Sequence, residues 1–221
     1  MSGIAILAID GPSASGKGSV AQRVAEALGF AYLDSGALYR LTALAAQQAG
    51  VDWGDRQSVA LIAQSLDVRF EKGLTLLAGQ DVSALIRSEN IGVGASQVAA
   101  FADVRQALLA RQRDFAVAPG LVADGRDMGS VVFPSAQLKI FLTATAEVRA
   151  ERRYQQLIAR GESADLAAIT RDLKSRDERD AARKEAPLRQ WDDALLLETS
   201  QLSLDQVVEC VLSWWKIRTE T

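Results

Sequence analysis

The chain has 221 residues, 48% hydrophobic and 24% charged, the profile of an ordinary soluble globular protein rather than a disordered one. Its 25 Lys and Arg against 28 Asp and Glu give a formal charge of −3, which argues against a general nucleic-acid binder. With no His and one Cys, a Ser-His-Asp triad, a Cys-His pair, a His-ligated zinc and an internal disulfide are all excluded.

The chemistry therefore falls to Lys, Arg, carboxylates, hydroxyls, backbone amides or a hard cation, an inventory that suits phosphate chemistry. The longest apolar run, Ile4 to Ile9, is far below the roughly 20 residues of a membrane span and lacks the basic flank of a signal peptide. A cytoplasmic protein without membrane or nucleic-acid partners is expected, acting as a monomer.

The run Ile4 to Ile9 reads as a strand covered on both faces, followed by a Gly/Ser-rich turn and a helix that Gly29 ends after Leu28. Helices are expected over Gly36–Gln48 and Arg56–Leu66. Asp67–Phe70 and Leu74–Val82, flanking Glu71-Lys72-Gly73, predict a short β hairpin. Helical periodicity over Ser88–Val117, with Val104, Leu108 and Leu109 on the apolar side, stops at Pro119-Gly120. Two buried strands are expected at Leu121–Ala123 and Leu138–Leu142, then helices over Ala146–Arg160 and Ala164–Glu185, and a strand at Leu195–Leu197. Ser203 and Gln206 have the spacing of a capping box for the last helix. Strands alternating with helices predict an α/β fold with a parallel sheet.

Gly11-Pro12-Ser13-Ala14-Ser15-Gly16-Lys17 is a G-x-x-x-x-G-K phosphate loop between the first strand and the first helix, continued by Gly18 and Ser19. Its backbone N–H groups, the helix N-terminus and the Lys17 charge can cradle polyphosphate. The usual hydroxyl after Lys17 is displaced by one place to Ser19, which leaves the metal without an assigned protein ligand. This G-K-G-[ST] form resembles the nucleoside monophosphate kinases, in which Mg²⁺ is held largely by phosphates and water.

Ser35 can cap the second helix and Arg40 lies further along it, so the pair can hold a second phosphate; a capped helix with a surface arginine is the plainer reading. Asp124-Gly125-Arg126-Asp127 follows a strand, where open α/β sheets bind ligands. There Asp124 suits an outer-sphere role toward Mg²⁺, Arg126 a phosphate clamp and Asp127 an acceptor for an amino group. Arg176, Asp180 and Arg183 fall on one helical face. A solvated charged face explains that spacing equally well.

The segments Ile9–Ser19, Leu33–Arg40, Ala95–Ala100, Ala123–Pro134 and Arg176–Arg183 together closely resemble bacterial-type cytidylate kinases over nearly the whole chain. The resemblance implies a P-loop NTPase-type three-layer fold with a core at about 1–34, 118–150 and 186–221. A monophosphate-binding region over about 35–117, with a β insertion at about 67–82, and a short lid over about 151–185 complete it. It implies transfer of the ATP γ-phosphate to CMP or dCMP, with Mg²⁺ accompanying ATP. By the same resemblance Ser35, Arg40, Arg126 and Arg183 surround the acceptor phosphate, while Ser96, Arg105 and Asp127 read cytosine. Arg176 and Asp180 hold the sugar, Lys17, Arg126 and Arg183 serve catalysis, and arginines between Arg152 and Arg171 stabilise the transferring group. A P-loop kinase for another small acceptor, UMP or shikimate, is the alternative. A GTPase switch lacks its N-K-x-D motif.

Overall fold

The computed structural model describes residues 3–71, 73–183 and 186–220. In chain order the elements begin with β1 (Ala5–Asp10), α1 (Lys17–Leu28), β2 (Ala31–Asp34), α2 (Ser35–Gln48) and α3 (Arg56–Gln64). The small strands β3 (Val68–Glu71), β4 (Leu74–Leu77) and β5 (Gln80–Asp81) precede α4 (Glu89–Val98) and α5 (Ala102–Arg113). Then come β6 (Gly120–Gly125), β7 (Leu138–Thr143), α6 (Ala146–Ala159), α7 (Leu166–Ala181), β8 (Leu195–Glu198) and α8 (Leu204–Glu220). These form two units, Met1–Leu33 with Phe115–Thr221, and Asp34–Asp114.

The first unit is built on a five-stranded sheet in the order β2-β6-β1-β7-β8. β1 pairs in parallel with β6 and β7, and β7 in parallel with β8. The continuous apolar composition of β1 follows from its central place. Leu7 and Ile9 are fully buried with Val122, Ile140 and Leu142 of the flanking strands, between Val20 and Val24 of α1 and Val207, Val211 and Trp215 of α8. Trp215 meets Phe30 edge-on with ring centroids 5.6 Å apart. Phe30 lies over Gly120, where a Cβ would stand 2.6 Å from its ring, so β6 must begin with glycine. Ile9 lies beside Asp124 and Asp10 beside Gly125 in the register, so the chain leaves β1 and β6 at the same edge. The capping box forms as read: Ser203 N donates to Gln206 Oε1 at 2.9 Å, and Gln206 N to Ser203 Oγ at 3.3 Å.

In the second unit α4 packs on α2 and α5 on α3. This pairing explains why the periodic stretch Ser88–Val117 is two helices instead of one. A straight helix of that length would run about 45 Å, and the extended backbone at Phe101 turns the second half onto a different partner. Trp53 donates from Nε1 to Ala43 O at 2.9 Å and covers Gly94, where a Cβ would lie 2.5 Å from its ring.

Four further expectations are corrected. Asp34, not Ser35, caps α2, accepting from Ala37 N at 3.0 Å; Ser35 is the first helical residue and is buried. Ala31–Asp34 is a strand that was not expected. The hairpin is a three-stranded antiparallel sheet, β3-β4-β5, because Ala78 and Gly79, both at positive φ, fold its second arm back; Lys72 lies outside the described residues. α7 ends at Ala181, short of Glu185, which also lies outside them.

Candidate active site

The phosphate loop joins β1 to α1. A Cβ at Gly11 would stand 2.0 Å from Leu142 O, so this backbone can pass β7 only as glycine. Ala14 takes a left-handed φ of 58°, and Gly16 one of 91° as N-cap of α1. No side chain caps α1, so its first N–H groups are left for an anion. Lys17 Nζ donates to Pro12 O at 3.4 Å across the loop. Ser15 Oγ is buried with no hydrogen-bond partner, a polar atom placed where a ligand would satisfy it.

Two arginines of α6 hold the loop's carbonyls from behind. Arg149, buried, donates to Ser13 O at 3.1 Å, Ala144 O at 3.0 Å and Asp177 Oδ2 at 2.6 Å. Arg152 donates to Ser15 O at 3.0 Å and to Thr199 O and Oγ1 at 2.7 and 3.2 Å. Arg152, expected among the arginines that stabilise the transferring group, has its guanidinium engaged here by protein oxygens. Both arginines act on carbonyls and leave the loop's N–H groups to face the other way. The sequence carries no local signal for them, since their acceptors lie about 135 residues earlier.

Gly18 explains the unusual G-K-G order. A Cβ there would lie 3.1 Å from Asp124 Oδ2 and 3.5 Å from Tyr32 Oη, so the glycine leaves room for a buried carboxylate beside the start of α1. Ser19 is exposed. Asp124 and the hydroxyls of the loop offer oxygen ligands, the kind that suits a hard cation such as Mg²⁺, although the described residues hold no group of three or more acidic or Cys side chains placed to bind one.

Arg126, at the end of β6, bridges two elements. It donates from Nε to Asp180 Oδ2 at 2.9 Å and from its far amino group to Ser13 Oγ at 2.8 Å. Arg183 donates to the other oxygen of Asp180. Asp180 is 1% exposed, so the charged face of α7 is an interior one, contrary to the solvated reading of its spacing. Burial pushes the Asp180 carboxyl up, but the charges of Arg126, Arg183 and Arg176, with the Arg126 hydrogen bond, outweigh it and hold the group below the usual range. Arg126, Asp180, Arg183 and the phosphate loop are thus brought together, with Arg176 half-buried on the same helix.

Asp10 was not expected to matter. It is buried, and its two oxygens accept from Met128 N and Gly129 N at 2.8 Å each. Burial drives its pKa up to about 6, against the lowering pull of those two bonds.

In the second unit Arg40 donates to Ile86 O at 2.8 Å and Ser88 O at 3.4 Å, and its guanidinium lies 3.3 Å from where a Cβ of Gly92 would be. On the same helix as Gly92, Ser96 Oγ is buried without a hydrogen-bond partner. Arg105 is half-buried on α5.

The family model for cytidylate kinase matches residues 7–216. A cytidylate kinase of Chromobacterium violaceum is 59% identical over 213 residues, covering 96% of each chain. One from Neisseria gonorrhoeae is 56% identical over 211 residues, covering 96% of this chain and 97% of its own. A third, from Cupriavidus necator, is 55% identical over 210 residues and 95% of each. On that evidence this P-loop α/β chain belongs to the cytidylate kinase family.

Proposed function

We propose that this kinase transfers the γ-phosphate of ATP to CMP or dCMP, giving ADP and the nucleoside diphosphate. The observation that carries the reading is Arg126: in a cytidylate kinase family member, one guanidinium joins Ser13 of the phosphate loop to the buried Asp180.

The loop Gly11–Ser19 binds the ATP phosphates through N–H groups that no side chain caps, and Lys17 adds charge that counts most in the transition state. Asp124 is the carboxylate that would hold the water shell of a Mg²⁺ bound with ATP, which would supply neutralisation of the phosphate charge. Arg126 and Arg183 take the acceptor phosphate together with Ser35 and Arg40. Arg126 can exchange Asp180 for that phosphate without leaving Ser13, which keeps it preorganised. Ser96, Arg105 and Asp127 read the base. The unpartnered Ser96 hydroxyl supports this, since a buried O–H wants a partner that a base can supply. Arg176 and Asp180 hold the sugar. The segment 151–185 serves as lid, excluding the water that would otherwise accept the phosphoryl group. The lone, half-buried thiol of Cys210 suits a reducing cytoplasm.

A coupled ADP-release assay with CMP, dCMP, UMP and AMP tests the reading. Turnover that requires an acceptor and favours the cytosine nucleotides is expected. Equal use of UMP, or ATP hydrolysis indifferent to acceptor, overturns it.

A further inference from the structure

Asp177 sits on α7 between Arg176 and Asp180 and engages a different partner, Arg149 of α6. Its Oδ2 accepts from that arginine at 2.6 Å, while its Oδ1 is buried with no hydrogen-bond partner. A buried carboxylate oxygen left unpaired costs stability, so packing alone gives no reason for an acid here in place of an apolar residue. The reason lies on the far side of its partner. Arg149 is buried and uses its three guanidinium nitrogens on three segments: Ala144 O ahead of α6 at 3.0 Å, Ser13 O of the phosphate loop at 3.1 Å, and Asp177. Because the fork is planar and rigid, the nitrogen held by Asp177 fixes the angle at which its neighbour meets Ser13 O.

Ser13 is thereby gripped twice from one helix. Asp180 reaches its hydroxyl through Arg126, and Asp177 reaches its carbonyl through Arg149. The second grip bears on anion binding. In a planar trans peptide the N–H of Ala14 points opposite to the Ser13 carbonyl, so holding that carbonyl on Arg149 turns the Ala14 N–H away from the arginine. Ala14 has a left-handed φ of 58°, which a residue other than glycine adopts at a cost and keeps only when its surroundings hold it there.

We propose that Asp177 is a positioning residue for the donor nucleotide: through Arg149 it orients the Ser13–Ala14 peptide and presets the Ala14 N–H for a phosphate of ATP. The proposal rests on the reading of Gly11–Ser19 as the ATP loop. Two acids three residues apart on α7 thus serve opposite substrates, Asp180 the acceptor and Asp177 the donor. Without Asp177, Arg149 keeps a buried charge with only carbonyls to meet it, and its hold on Ser13 O loosens.

The experiment compares wild type, Asp177→Ala and the near-isosteric Asp177→Asn. The amide keeps one acceptor for Arg149 without the charge, and it answers the question should the alanine variant fail to fold. The Kd for ATP is measured by calorimetry with Mg²⁺ and no acceptor, and the KM for CMP at saturating ATP. The Kd for ATP is expected to rise at least about tenfold in Asp177→Ala and about threefold in Asp177→Asn, with the KM for CMP changing by less than about twofold. A purely structural role would lower the urea midpoint without this split between the two substrates. Smaller rises in the Kd for ATP, or a larger change in the KM for CMP, overturn the proposal. Wild type that binds no ATP overturns the reading of the loop itself, whereas wild type that binds ATP beside variants that bind it equally well overturns the role of Asp177 alone.

Discussion

Asp180 accepts from Nε of Arg126 at 2.9 Å, with the acid 1% and the arginine 15% exposed, so the pair is joined largely out of water. Removing one member of such a pair strands the other, at a typical cost of about 3–5 kcal/mol. Arg126 keeps Ser13 Oγ, and Asp180→Ala is therefore expected near the lower end, about 3 kcal/mol by urea unfolding. The kcat/KM for CMP and dCMP should fall together by about ten- to a hundredfold with ATP affinity little changed. Unchanged stability and kinetics would return α7 to a decorative role. Because the Asp180 carboxyl is held below the usual range, its contribution is present above the ordinary carboxylate pKa. It is lost only as pH falls through the lower, folded value.

Asp10 has the opposite sign. Its folded pKa, about 6 against 3.8, means the native state holds a proton that the unfolded chain has released. Its contribution is complete below about pH 4 and is lost as pH rises through 6, an effect of about 2 kcal/mol between pH 4 and 7. Urea unfolding of wild type and Asp10→Asn at both pH values isolates it. Wild type should lose that amount relative to the variant, and parallel pH profiles would refute the assignment.

Arg152 fixes Ser15 O and both oxygens of Thr199. Arg152→Lys keeps the charge but cannot span three acceptors. Hydrogen bonds to charged groups are worth about 1.5–3 kcal/mol, so the KM for ATP should rise at least tenfold while the KM for CMP moves little. A larger change in the acceptor KM would mean that the arginine serves the acceptor after all.

Lys17→Met should reduce kcat about a hundredfold or more with an unchanged circular-dichroism melt, because the lost charge acts mainly on the transition state. A folded variant with near-normal turnover would contradict this.

Local chemistry was legible in the sequence wherever its partners are near in the chain. The phosphate loop, the Ser203–Gln206 box and the apolar strands β1, β6 and β7 are read from a few consecutive residues each. The break between α4 and α5 was hidden because periodicity continues through it, while the choice of packing partner does not show in a pattern. α7 misleads for a related reason: its alternating charges look solvated until Arg126 is brought in from β6. Asp10 and Arg149 were missed altogether and Arg152 was read only as a lid arginine, since each derives its meaning from a partner more than a hundred residues away.

The indole of Trp53, laid over Gly94 and hydrogen-bonded to Ala43 O, also provides an optical handle. The other three tryptophans, Trp191, Trp214 and Trp215, all belong to the first unit. Replacing those three by phenylalanine leaves one emitter in residues 34–114. Its fluorescence then follows the melting of that unit separately from the far-ultraviolet signal of the whole chain, so cooperativity between the two can be measured in a single sample.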